Sequence, residues 1–341
     1  MRFNYSVIKN FRNFSGPGLK IEWEPGINLI LGPNGSGKTN LLESLSVLCG
    51  WGSFTRTQNI TSWNAPGLRA AAFAELSGEE SFTVSANISS RISLRVNDKA
   101  ISFTDLRLAV PSVIFLTGGV NLIDGSPAAR RLFIDRLCSI LFPPYAKKLA
   151  DFKYVMRSRT ALLRQGKSPE ATTELFCNIG GWIMDRRREV VMMLSKVMRQ
   201  NKFRLEFLPR VNPKVSGEKF LFQSLQESLV RERQAMRPLV GPNYEEIAIT
   251  LNDGNRAASE GLSRGQKRRL ILYIIITAGK LIMLKLNRAP ILLFDDLTAE
   301  LDSEGREWTR KKLEKTGWQI FITAPEKPFD VKKKFGGFSF S

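Results

Sequence analysis

Two stretches of this sequence carry residue types that could handle a nucleoside triphosphate. The first, Gly32-Pro33-Asn34-Gly35-Ser36-Gly37-Lys38-Thr39, lies between an apolar segment, Ile27 to Leu31, and a helical pattern, Lys38 to Leu48. It fits G-x-x-x-x-G-K-[ST] in the strand–loop–helix setting that the motif needs. Gly32, Gly35 and Gly37 permit a compact loop whose backbone N–H groups converge on phosphate oxygens, and the helix N-terminus adds partial positive charge. Lys38 is spaced to reach the β- and γ-phosphates of ATP, and the Thr39 hydroxyl to coordinate Mg²⁺. The second stretch is Pro290-Ile-Leu-Leu-Phe-Asp295-Asp296. Its apolar run predicts a buried strand, so Asp295 emerges at the carboxyl end, where it can hold the water shell of Mg²⁺. Asp296 then orients or deprotonates an attacking water. An ordinary turn or helix cap is the alternative for two adjacent acids.

A third stretch, Glu260 to Arg269, reads EGLSRGQKRR and leads into the apolar run LILYIIITAG. Ser263 with Gln266 three residues on predicts a capping box. That does not account for Gly265, which costs helix stability unless something approaches the backbone closely. One nucleotide has one triphosphate, and the glycine loop already cradles it. A second glycine-bearing helix tip at Ser263, Arg264, Gly265 and Gln266 makes sense if it touches the nucleotide held by another copy of the chain.

These residues need a scaffold. The chain has 341 residues, 43% of them apolar, enough for about two domains with sizeable cores. Leu19 to Glu24 and Ile27 to Leu31 flank a Pro-Gly turn; Arg69 to Leu76, Ser81 to Ile88 and Ile92 to Val96 read as antiparallel strands, and Val113 to Leu116 as a short apolar one. Ser126 to Phe142, Tyr145 to Gln165, Pro169 to Gln200 and Glu218 to Met236 are helical in pattern. Strand, helix, strand, helix and strand then alternate over Glu246 to Leu251, Gly265 to Leu286, Pro290 to Phe294, Ser303 to Lys315 and Trp318 to Thr323. Continuous apolar strands alternating with helices predict a parallel, two-sided sheet. The expected architecture is an α/β head formed by both ends of the chain, 1–125 and 244–341, with a mainly helical insertion, 126–243.

Composition sharpens this. There is no histidine, which excludes His general bases, triads and metal sites. Three well-separated cysteines without C-x-x-C argue for a reduced, cytoplasmic setting, and no run reaches the length of a membrane span. The net charge is +19, a field that recruits polyanions. Ser126 to Asn243 holds 23 Lys+Arg against 10 Asp+Glu, a surplus of 13. A solvated basic face is the plain reading; concentration in one segment favours an anion-facing surface.

The segment LSRGQ resembles the signature motif of ABC-type ATPases, and Leu297-Thr-Ala-Glu-Leu-Asp302 resembles their D-loop. Asn10-Phe-Arg-Asn-Phe14, Gly125-Ser-Pro-Ala-Ala-Arg-Arg131 with Phe133 and Asp135, and Gly241-Pro-Asn-Tyr-Glu-Glu246 appear in the order seen in the RecF family of bacterial recombination and repair ATPases, relatives of SMC and Rad50 heads. The resemblance implies an ABC-type P-loop head with a parallel sheet core and an antiparallel β subdomain. It also implies an ATP-dependent homodimer, a slow Mg²⁺-dependent ATPase, and DNA binding at a duplex or single-strand junction. Recombinase loading at gaps, a part in the SOS response, and RecO- and RecR-like partners follow from the same likeness. On this alignment Lys38 and Asp296 are catalytic, Asp302 is the D-loop acid, and Thr323 falls at the switch position, a histidine in many ABC proteins. Gly118-Gly119 replaces a Pro-acid pair of the family, and Asn243-Tyr244 a His-Arg pair. Arg12 and Asn13 lie where they could brush the nucleotide.

Candidate phosphate-backbone contacts are Arg130, Arg131, Lys147, Lys148, Arg157, Arg159, Arg186, Arg187 and Arg188. Arg130 and Arg131 could instead pair with acids. Arg186 to Arg188 cannot share one helix face at about 100° per residue. The alternative to a DNA-binding ATPase is the ATPase subunit of a membrane transporter. A small-molecule kinase needs neither LSRGQ nor a D-loop.

Overall fold

The computed structural model describes residues 1–52, 69–89, 91–116, 122–198, 203–208, 215–251, 257–298 and 301–330. Gly118-Gly119 lies outside them, as does the centre of the D-loop stretch. The chain divides into two units, Met1–Gly119 with Ser263–Ser341, and Val120–Leu262.

The first unit holds two sheets. Four short strands, β3 (Ile27–Leu31), β8 (Ser112–Phe115), β11 (Ile291–Asp295) and β12 (Ile320–Ala324), form a parallel sheet in the order β3-β12-β11-β8. Their residues are buried almost without interruption, as strands covered on both faces must be. The second sheet is antiparallel, in the order β2-β1-β4-β5-β6-β7, built from β1 (Arg2–Lys9), β2 (Leu19–Glu22), β4 (Ala70–Ser77), β5 (Ser81–Ile88), β6 (Ile92–Val96) and β7 (Lys99–Ile101). In β4, AAAFAELS alternates buried with half-buried residues, the mark of a strand with one core face. The sheets are joined through the Phe321 ring of β12, edge-on to Trp23 at 5.0 Å and Phe3 at 5.9 Å. Gln319 supports that join: its side-chain oxygen accepts from the Phe3 N–H at 2.7 Å and its amide donates to the Phe3 carbonyl at 2.9 Å. α1 (Lys38–Leu48) packs on β11, β12, β4 and β5, and α8 (Arg264–Leu286) packs on β8. Two shorter helices, α2 (Phe103–Ala109) and α9 (Ser303–Glu314), complete the unit.

The second unit contains α3 (Pro127–Leu141), α4 (Tyr145–Arg164), α5 (Glu170–Met198), α6 (Gly217–Ala235), the short α7 (Ala258–Gly261) and an antiparallel pair, β9 (Phe203–Leu208) with β10 (Glu246–Leu251). The expected boundaries at 125 and 244 are therefore displaced. Glu246 to Leu251, expected in the head, belongs here because its hydrogen bonds go to β9. β9 lies between the helical patterns that end at Gln200 and begin at Glu218, in a stretch for which no element is predicted. α5 and α6 touch at glycines: a Cβ on Gly181 would sit 2.1 Å from the Glu218 nitrogen. The core is tied by buried charge. Arg187 donates to both carboxylate oxygens of Asp135 (2.7 and 3.0 Å), to Glu245 at 2.8 Å and to the Pro242 carbonyl at 2.5 Å. Arg159 pairs with Glu232 at 2.8 Å. All three cysteines are buried free thiols.

Candidate nucleotide site

The P-loop residues run from the carboxyl end of β3 into the first turn of α1. Gly37 is its N-cap at φ 98°, a conformation that L side chains rarely adopt, and a Cβ there would displace the Asn13 amide, which lies 2.3 Å away. Asn13 is a clamp on the loop. Its Nδ2 donates to the Ser36 carbonyl at 3.3 Å, and its Oδ1 accepts from Asn40 of α1 at 2.7 Å. Arg12, at φ 55°, turns inward instead and donates twice to Glu43 of α1, each bond 3.0 Å. With about 2% of its surface exposed it is a strut for α1, not a nucleotide contact.

Lys38 is buried, and its Nζ donates to the carbonyls of Gly32 at 2.7 Å and Pro33 at 2.8 Å, which holds the ammonium across the loop. Beside it the Ser36 hydroxyl is buried without a hydrogen-bond partner. A buried hydroxyl left unsatisfied is costly, and a phosphate oxygen is the acceptor that this glycine cradle is built to bring. Gly35, at φ 85°, faces open space. The loop therefore fits a triphosphate.

The metal side also fits. The Thr39 Oγ1 donates to Asp295 Oδ1 at 3.0 Å, which places one hydroxyl and one carboxylate together at the mouth of the loop. Mg²⁺ takes one or two protein oxygens and completes its shell from phosphates and water. No group of three or more acidic or thiol side chains among the described residues offers a metal cage of its own. Thr323 of β12 lies in register with Asp295. Its hydroxyl donates to the same Oδ1 at 2.7 Å and accepts from the Asp296 N–H at 2.9 Å. Asp296 follows β11 in a left-handed conformation, φ 54°. The turn named as the alternative for this acid pair is present in the backbone at Asp296.

Ser263 caps α8. Its hydroxyl accepts from the Gln266 N–H at 3.4 Å, and its own N–H donates to the Gln266 side chain at 2.9 Å, the reciprocal box expected from LSRGQ. Ser263, Arg264 and Gln266 are exposed, and nothing lies within 4 Å of a Cβ built on Gly265. Asp302 caps α9 by accepting from the Gly305 N–H at 2.7 Å; it is exposed as well.

The cation candidates of the second unit separate into three groups. Arg159 and Arg187 are 1–2% exposed and locked into ion pairs, so they are withdrawn as DNA contacts: a buried guanidinium cannot meet a backbone phosphate. Arg130 pairs with Glu246 at 2.8 Å, Arg131 donates to the Glu245 carbonyl at 2.6 Å, Arg186 pairs with Glu189 at 2.6 Å, and Arg188 reaches the Val215 carbonyl at 3.3 Å. Lys147 and Arg157 are exposed, and Lys148 lies over the Trp182 ring at 5.4 Å. Sequence reading missed Lys153 and Arg164, also exposed on α4. Their spacing held the signal: Lys153, Arg157 and Arg164 fall within about 40° of one another at about 100° per residue. Asp151, the only carboxylate in α4, projects about 120° or more away from that column.

The RecF/RecN/SMC N terminal domain family matches residues 4–334. Among curated proteins, the chain is 29% identical to the DNA replication and repair protein RecF of Heliobacterium modesticaldum, over 95% of this chain and 92% of that one. It is 30% identical to the RecF of Shewanella pealeana, over 94% and 91%. A solved structure of the recombination mediator protein RecF with ATP, from the RecFOR pathway, superposes with a TM-score of 0.82 at 24% identity, covering 97% of this chain and 93% of that one. An Smc head bound to the C-winged helix domain of ScpA superposes at 0.55 and 17% identity, covering 96% and 90%. These structural likenesses speak to the fold.

Proposed function

This chain belongs to the RecF family of DNA replication and repair proteins, and from that premise we propose that it is an ATP-dependent DNA-binding switch of recombinational repair. Two copies close on ATP and open on slow Mg²⁺-dependent hydrolysis. The observation that carries this reading is the 3.0 Å bond from Thr39 to Asp295, which closes the glycine cradle on the acid strand. Lys38 and the loop N–H groups bind and orient the triphosphate; Asp295 and Thr39 would hold Mg²⁺, which when bound neutralises charge between the phosphates. Asp296 orients and takes a proton from the attacking water. The exposed tip at Ser263 to Gln266 presents backbone N–H groups and a hydroxyl to the nucleotide of a second copy, with Asp302 near the same contact. The RecFOR name of the matched structure supports RecO- and RecR-like partners. No described helix is long and apolar enough to cross a membrane, and we place the protein's work in the cytoplasm, with DNA.

Sedimentation with and without ATP and Mg²⁺ tests the switch. The wild type should shift to a dimer with ATP, further stabilised by duplex DNA. Ser263→Arg should bind ATP within about twofold of wild type yet stay monomeric, because bulk and charge at an exposed cap obstruct the partner and not the fold. A wild type that remains monomeric in saturating ATP and DNA contradicts the switch.

For DNA, the α4 column of Lys153, Arg157 and Arg164 is the proposed backbone contact. Each phosphate neutralised steepens the fall of log affinity against log salt by about 0.9. Reversing all three to glutamate should weaken duplex binding at least tenfold and flatten that slope by roughly 2 to 3. An unchanged slope assigns the contact elsewhere.

A further inference from the structure

The strand carrying the P-loop and the strand carrying the acids are not neighbours. In the sheet order β3-β12-β11-β8, β12 stands between them. Thr323 is the β12 residue that pairs with Ile30 on one side and Asp295 on the other. Thr323 is 1% exposed, and its hydroxyl has two partners at once, donating to Asp295 Oδ1 and accepting from the Asp296 backbone N–H. With the Thr39 bond, an unbroken chain runs from the metal-side hydroxyl of the P-loop through Asp295 and Thr323 to the backbone of Asp296. Two hydroxyl donors on one oxygen fix the rotation of the Asp295 carboxylate. The bond to Asp296 N–H holds that residue at φ 54°, a conformation that L-residues other than Asn, Asp and Gly seldom take.

We propose that Thr323 is a positioning residue that couples the Thr39–Asp295 metal position to the orientation of Asp296. It acts through the two acids; a switch-position histidine would be read as touching phosphate directly. Thr39 and Asp295 would hold Mg²⁺, and Thr323 keeps Asp295 and the Asp296 backbone in fixed relation to each other. A purely structural threonine would satisfy its own hydroxyl and change stability alone. This inference rests on the ATP reading above.

The test compares Thr323→Val, which keeps the shape and removes both hydrogen bonds, with Thr323→Ser, which keeps them. Three quantities are read: affinity for a fluorescent ATP analogue without Mg²⁺, the Mg²⁺ concentration that half-saturates the metal-dependent change in that fluorescence, and single-turnover hydrolysis. In Thr323→Val the metal-free affinity should stay within about twofold. The Mg²⁺ midpoint should rise about fivefold or more, and the single-turnover rate should fall about tenfold or more. Thr323→Ser should restore both to within about twofold. If the valine variant does not fold by thermal melt, Thr323→Ala replaces it with the same expectations. Wild-type values for the metal midpoint and turnover in the valine or alanine variant overturn the coupling. So does equal loss of metal-free ATP affinity that serine fails to rescue, the pattern of a packing defect. A wild type that binds no ATP overturns the ATP reading itself, and this inference with it, and is told apart by the wild-type titration alone.

Discussion

Replacing Lys38 by alanine should cut ATP affinity by a few hundredfold while leaving the protein folded. The side chain's ammonium sits between the Gly32 and Pro33 carbonyls at 2.7 and 2.8 Å, inside a loop of glycines with no other cation among residues 32–39. Its removal deletes a charge-assisted contact to the β- and γ-phosphates and leaves those loop carbonyls without this donor. Hydrogen bonds to charged groups are worth about 1.5 to 3 kcal/mol each. A loss of about 3 to 4 kcal/mol corresponds to a few hundredfold in Kd. Stability should change little, because the α1 N-terminus keeps its Asn13 clamp and Arg12 keeps Glu43. Titration calorimetry reads the affinity and a thermal melt the fold. Retained affinity within threefold of wild type contradicts the assignment of the loop.

Arg187→Met should be the most destabilising single change in the second unit. The guanidinium joins Asp135 of α3, Glu245 beside β10, and the carbonyl of Pro242, so one side chain of α5 ties two other segments, α3 and the stretch from Pro242 to Glu245. Taking one partner from a buried ion pair costs about 3 to 5 kcal/mol, since the remaining charges stay buried. For a unit of this size that amounts to roughly 10 °C in melting temperature. The deficit should depend on pH. Burial pushes the Glu245 carboxyl up from its ordinary 4.5 to about 7, against the pull of Arg187. A folded-state pKa above the unfolded one means that the folded chain holds the proton more tightly. Stability from this group is therefore full below about 4.5 and declines as pH rises through about 7. Without Arg187 only the Arg188 charge still opposes the burial, the carboxyl shifts further up, and the variant's deficit should be larger at pH 8 than at pH 5.5. Urea unfolding at both pH values, followed by amide exchange in α5, measures this. An equal deficit at the two pH values removes Glu245 from the account; a deficit under 1 kcal/mol removes the hub.

Most of the site was legible in the sequence because its chemistry is local. A glycine loop between an apolar strand and a helix start needs no distant residue to declare itself, and LSRGQ announces its capping box within four positions. The run ILLFDD places Asp295 at a strand end for the same reason: continuous apolar residues force burial, and the first charge marks the exit. The basic segment was legible as charge but not as surface. Arg157 and Arg159 sit two apart on α4, and nothing in their neighbourhood along the chain says which is bare. Asp135, Glu232 and Glu245 decide it: Arg159 meets Glu232 73 residues away and Arg187 meets Glu245 58 residues away. β9 escaped notice because its partner β10 is separated from it by a helix, α6.

The amino-acid order by itself determined that this chain has a glycine loop between a strand and a helix, an acid-tipped strand and a capped helix tip, since each is written in contiguous residues whose backbone demands are met on the spot. Only the tertiary structure decided that β12 lies between β3 and β11, that Thr323 therefore links the two acids, that Arg12 braces α1, and which arginines serve the interior and which face outward. Those outcomes are pairings across long stretches of chain, and such pairings are fixed by packing and by the need of every buried charge and hydroxyl to find a partner, not by the identity of the nearest neighbours.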